Sequence, residues 1–96
     1  MIGEKNNLEI AVDTYTISGS CAASTITVLS TTPSKQGYTP IGVLGYRVIT
    51  SGGGGVSFWI AGCWVNTSNQ VQVYCQNTTS NALSVQLAVI VLFKKN

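Results

Sequence analysis

The chain has no histidine, and only three of its 96 residues are acidic: Glu4, Glu9 and Asp13. From Thr14 onward there is no carboxylate side chain at all. These absences remove most enzyme chemistry. Ser/His/Asp and Cys/His nucleophilic systems lack their base. A catalytic carboxylate pair would have to come from three positions, two of them flanking the start of one strand. Cys21, Cys63 and Cys75 form no CxxC, and no histidine completes a zinc site with them. The chain reads as non-enzymatic, with no catalytic residue, no metal and no cofactor.

Charge is scarce. Charged residues make up 8% of the chain, against roughly 25% in an ordinary soluble domain. Lys5, Lys35, Arg47, Lys94 and Lys95 give a net charge of +2 but no basic stripe of the kind that displaces counterions from a phosphate backbone. A nucleic-acid partner is therefore not expected, and Lys94-Lys95 reads as a solvated strand end. Long apolar runs are missing too. The most apolar stretch, Leu83 to Phe93, includes Ser84 and Gln86 and falls well short of the roughly 20 residues of a membrane helix. Met1 to Asn7 is polar and no apolar core follows, so no secretory signal is read and a soluble chain without membrane insertion is expected. An odd cysteine count argues against a complete disulfide framework, and reduced thiols are expected.

Uncharged polarity takes the place of charge. Ser, Thr, Asn and Gln account for 33 residues, while 45% of the chain is apolar, enough to fold. The length fits one domain spanning residues 1–96, with 1–7 a flexible or linker-derived N-terminus. No segment has a useful 3.6-residue apolar period. Short β-branched and aromatic runs instead end in turn chemistry. Strands are expected over Leu8–Ile17, Thr25–Leu29, Ile41–Thr50, Ser57–Val65, Gln70–Gln76 and Leu83–Phe93. In the first, Leu8, Ile10 and Val12 share one face, Glu9 and Asp13 the other, and Ser18-Gly19-Ser20 closes it. The short loops between the last three strands suit antiparallel hairpins. The fold class is all-β: a small antiparallel sandwich of about six strands, jelly-roll-like.

Two strands define the faces. Val71, Val73 and Cys75 point one way, and Gln70, Gln72, Tyr74 and Gln76 point to a wet side. In Leu83–Phe93 one face is wholly apolar, and the other begins with Ser84 and Gln86 but turns apolar at Ala88, Ile90 and Leu92. A strand apolar on both faces is buried on both, so a second subunit is expected over Ala88, Ile90 and Leu92. Trp59 and Trp64 differ by five positions and face oppositely in a regular strand. A bulge at Gly62 would put both on one face. The regular strand is the favoured reading, because it sets Val65 with small apolar partners: Trp59, Ala61, Cys63 and Val65 are expected in the core, with Phe58 and Trp64 outside. It pairs Val65 with Val71, Cys63 with Val73 and Ala61 with Cys75, which leaves Cys63 and Cys75 diagonal and unsuited to a bridge.

Gly52 to Gly55 lacks the Lys and the helix start of a phosphate loop and reads as a β-to-β connection. Asn66-Thr67-Ser68 and Asn77-Thr78-Thr79 match the glycosylation sequon but read as turn chemistry. The segment Gly37-Tyr38-Thr39-Pro40-Ile41-Gly42-Val43-Leu44-Gly45-Tyr46, the aromatic hairpin after it and the terminal Val89–Asn96 resemble C-terminal tip domains of bacteriophage tail- and head-fibre proteins. The resemblance covers roughly Thr25 to Asn96. It implies a compact sandwich, usually a homotrimer, in the virion of a phage assembled in the bacterial cytoplasm, and often contacting the host surface. It implies no defined binding residues. From the residues themselves, Trp64, Tyr74 and Tyr38 are the candidate ligand-binding side chains, as stacking platforms for a carbohydrate; a bacterial surface glycan as the partner is what the resemblance implies. Ala88, Ile90, Leu92 and Phe58 are the candidate oligomer interface. A free-standing carbohydrate-binding module and a capsid decoration protein are the alternatives.

Overall fold

The computed structural model describes residues 9–50 and 58–96. The expected N-terminal segment 1–7 and the Gly52–Gly55 connection lie outside them. Six antiparallel strands follow one another: β1 (Ile10–Cys21), β2 (Thr25–Thr31), β3 (Tyr38–Thr50), β4 (Phe58–Val65), β5 (Val71–Asn77) and β6 (Leu83–Lys95). They form two three-stranded sheets, sheet A in the order β1-β6-β3 and sheet B in the order β2-β5-β4. The architecture is a small antiparallel β-sandwich, all-β as the alternation requires. Its winding is jelly-roll-like: β1 and β2 occupy matching edges of the two sheets, against β6 and β5.

The core lies between the sheets. Leu83, Val85, Leu87, Val89, Val91 and Phe93 of β6 enter it from one side, and Val71, Val73 and Cys75 of β5 from the other. Each such side chain contributes about 1.5–3 kcal/mol relative to exposure. The sheets close on each other where side chains are small. A Cβ on Gly19 would sit 2.6 Å from Leu29 Cδ2, so this glycine serves close packing and does not end β1, which runs on to Cys21. The turn falls at Ala22–Ser24. Ser24 takes a positive φ of 56° there, and its amide and hydroxyl both donate to Thr79 O.

The two chain reversals around β5 differ. After β4, Asn66 Oδ1 accepts from the amides of Ser68 and Gln70, and Asn69 turns through a φ of 63°. That is a true hairpin, as expected from its Asn/Thr/Ser composition. The loop after β5 is just as short but is not a hairpin. It carries the chain from sheet B to sheet A, and β6 pairs with β1 and β3 instead of β5. Its pivot is Asn77, 1% exposed. Asn77 Nδ2 donates to Cys21 O and Asn81 O, and Oδ1 accepts from Thr79 N and Thr79 Oγ1. A sequon asparagine buried this way is a structural side chain.

The segment between β2 and β3 packs on the inner side of sheet A. Tyr15 Oη donates to Ser34 O and accepts from Ser34 N, and Lys35 pairs with Asp13 at 3.5 Å. Gly37 turns the chain into β3 with a φ of 82°. Lys94, Lys95 and Asn96 are exposed but tied in. Lys95 N donates to Glu9 O, Asn96 N donates to Gly37 O, and the Asn96 side chain accepts from the Thr39 hydroxyl.

Candidate functional site

Register decides which side chains the two outer faces present. In β4 the pairing runs Val65–Val71, Cys63–Val73 and Gly62–Tyr74, as expected, and then slips: Ile60, not Ala61, faces Cys75. Ala61 and Gly62 together oppose Tyr74, a β-bulge. Beyond it every side chain is turned over. Phe58 enters the core, 6% exposed, and Trp59 leaves it, 46% exposed. The regular-strand reading is thus corrected at three residues: Trp59 and Ala61 lie outside and Phe58 inside, so Phe58 is not part of any outer face. Cys63 and Val65, on the near side of the bulge, pack against the core as expected.

The bulge makes room for an aromatic pair. Trp64 is 42% exposed, and its ring lies across Gly62, where a Cβ would stand 2.7 Å from ring carbon Cζ3. The same ring meets Tyr74 of β5, centroids 4.6 Å apart and planes inclined by 31°. Trp59 pairs with Gln76, and Trp64 with Gln72. On the far side of β5, Val28 and Ile26 of β2 continue the face. Two tryptophans, a tyrosine, two glutamines and two aliphatic residues therefore share one open sheet surface. Of the three expected ligand residues, Trp64 and Tyr74 come together. Tyr38 does not join them: it sits at the start of β3 in the other sheet, packed at the core margin beneath the Lys35 ammonium. Trp59 is the residue that sequence reasoning missed, and Gly62 was the signal for it.

The outer face of sheet A has a different character. The central strand β6 places Ala88, Ile90 and Leu92 there, and Val12 of β1 faces Leu92. Strand β3 adds to it through irregular register. Shifts at Ile41, Leu44 and Ile49 leave these side chains extra in the ladder and exposed, Leu44 by 60%. Gly42 and Gly45, opposite Leu92 and Ile90, carry no side chain that would cover β6. Ala88, between Thr16 and Arg47 in the ladder, is 7% exposed, while Ile90 and Leu92 stay half-buried. Lys94 and Arg47 pair at the two ends of this stretch, with Thr39 and Ala88 respectively. The Ile10/Val12 side of β1 belongs to this outer face, and the Asp13 side turns inward.

The ammonium of Lys95 lies 2.9 Å from Glu9, whose carboxylate raises its pKa, and Asp13 is held by Lys35. All three cysteines are free thiols. Burial raises each of them, and Cys75, which also has Cys21 beside it, is pushed up to about 12. They stay protonated and poorly nucleophilic at neutral pH.

No family model, characterised protein or solved structure matches this chain.

Proposed function

We propose that the chain is a non-enzymatic structural domain of the phage-fibre type, a tip module that assembles as a homotrimer in the virion and leaves its remaining surface free for contact with a bacterial host. The observation that carries this reading is the outer face of sheet A. Val12, Ile90, Leu92, Ile41 and Leu44 form an apolar surface with a cation at either end. An apolar centre with a polar rim is the composition of a protein interface. A flat apolar sheet face left open favours uncontrolled association, whereas closed cyclic symmetry covers it in a finite particle. Low charge offers little repulsion against that association. The number three comes from the resemblance of Gly37–Tyr46 and the C-terminal strand to fibre tips. Capsid decoration shares the same assembly. A free-standing binding module would be a monomer.

Light scattering at micromolar concentration tests this. The wild-type protein is expected at three times the chain mass. Ile90→Lys, which places a charge on the outer face while leaving the core untouched, is expected to give a folded monomer. A monomeric wild type overturns the reading, and an unchanged trimer in the variant moves the interface elsewhere.

A further inference from the structure

We propose that the outer face of sheet B is a binding surface for a neutral saccharide, with Trp64 and Tyr74 as a stacking pair, Trp59 as a second platform, and Gln72 and Gln76 as hydrogen-bonding groups. Three features of the face select that ligand.

The first is charge. Every charged side chain among the described residues belongs to sheet A, its flanks or the segment between β2 and β3: Glu9, Asp13, Lys35, Arg47, Lys94 and Lys95. The outer face of sheet B has none, so it offers nothing to a phosphate, a carboxylated glycan or a nucleic-acid backbone.

The second is chemistry. Aromatic faces are electron-rich and attract the weakly positive C–H faces of a sugar ring. The carboxamides of Gln72 and Gln76 both donate and accept, matching hydroxyl groups that do the same. A second copy of this chain fits less well: an apolar partner would leave two amides and the Tyr74 hydroxyl without partners, and the chain's own large apolar face is on the other sheet.

The third is shape. The described residues enclose no pocket, so the ligand lies along the surface. Gly62 permits this geometry by letting the Trp64 ring lie down across the strand. Trp59 and the Gly62 position covered by Trp64 lie opposite Gln76 and Tyr74, two residue steps apart along β5, roughly 7 Å. A single sugar then covers the pair, and a longer chain reaches Trp59.

This inference rests on the preceding reading only in requiring that assembly leave sheet B uncovered. The test uses the full chain against an array of neutral and acidic glycans, followed by tryptophan-fluorescence titration with the neutral oligosaccharides that score, from one unit upward. Binding of at least one neutral glycan is expected, tighter for longer chains. Trp64→Ala and Tyr74→Ala each weaken it by about tenfold or more. Trp59→Ala removes the length dependence, and Gly62→Ala, which displaces the Trp64 ring without removing any aromatic, weakens binding while the protein stays folded. Ile90→Lys leaves the per-protomer affinity unchanged even where light scattering shows loss of the trimer, so failure of the assembly reading is seen separately. Absence of any neutral glycan signal, binding confined to acidic glycans, or a change in mass with Trp59→Ala or Trp64→Ala in place of a change in affinity overturns the proposal.

Discussion

Asn77 accounts for more structure per side chain than any other polar residue here. Its four hydrogen bonds join the end of β1, the end of β5 and the turn into β6. Asn77→Ala removes the donor to the Cys21 carbonyl and the acceptor of the Thr79 amide, while Asn81 O keeps the Thr79 hydroxyl, so a loss of roughly 2–3 kcal/mol is expected in urea unfolding. The Glu9–Lys95 pair is solvent-exposed and the Asp13–Lys35 pair partly so, and both are of little consequence beside it. The thiols give a pH dependence. Their folded pKa values are raised above the unfolded value of 9.0, that of Cys75 to about 12. The folded state thus holds protons that the unfolded chain releases first. Their contribution is fully present below pH 9 and is lost as pH climbs from there toward 12. Unfolding midpoints measured from pH 7 to 10.5 should fall, and fall less in Cys75→Ala. Thiol titration should find three reactive groups in denaturant and slow reaction in the native protein. Turn residues were legible where the side chain acts on its own backbone, as Asn66 does in the β4–β5 hairpin; Ser18-Gly19-Ser20 lies inside β1 and Asn77 serves a corner, because packing between the sheets decides both.

At the scale of the element, alternation revealed all six strands, since period-two patterning and turn clusters are local signals. Register was legible only until a bulge interrupted it. The β4–β5 hairpin follows the expected pairing through Gly62 and then inverts, because one extra residue turns every later side chain over. The inverted arrangement puts Phe58 and Ile60 in the core and both tryptophans on the surface, a choice that depends on the narrow space between sheets about 10 Å apart and so on non-local packing. The link from β5 to β6 was misread for a related reason. A short loop serves a hairpin and a sheet-to-sheet corner equally well, and the selection of a corner comes from β6 being needed between β1 and β3. The core face of β6 was unambiguous. Val89, fully buried between Tyr15 and Tyr46 in the sheet, is expected to tolerate no charge. Val89→Asp should abolish soluble folded protein, as read by circular dichroism and gel filtration. A native-like spectrum would remove β6 from the centre of the sandwich.

For the whole molecule, the proposed assembly gives the two outer surfaces opposite fates: copies of the chain would cover the apolar face of sheet A, and the aromatic face of sheet B would stay open. Sequence pointed to the first through Ala88, Ile90 and Leu92. It pointed to half of the second through Trp64 and Tyr74, because nothing local links Trp59 to them until the bulge at Ala61–Gly62 is in place. Trp59 and Trp64 are the only tryptophans in the protein, and both report on sheet B. Acrylamide quenching of tryptophan fluorescence in the assembled wild-type protein therefore reads whether sheet B is open. Red-shifted emission and a single accessible population comprising both tryptophans are expected. One accessible and one protected tryptophan would contradict the bulge, and two protected tryptophans would mean that sheet B is the face the assembly buries.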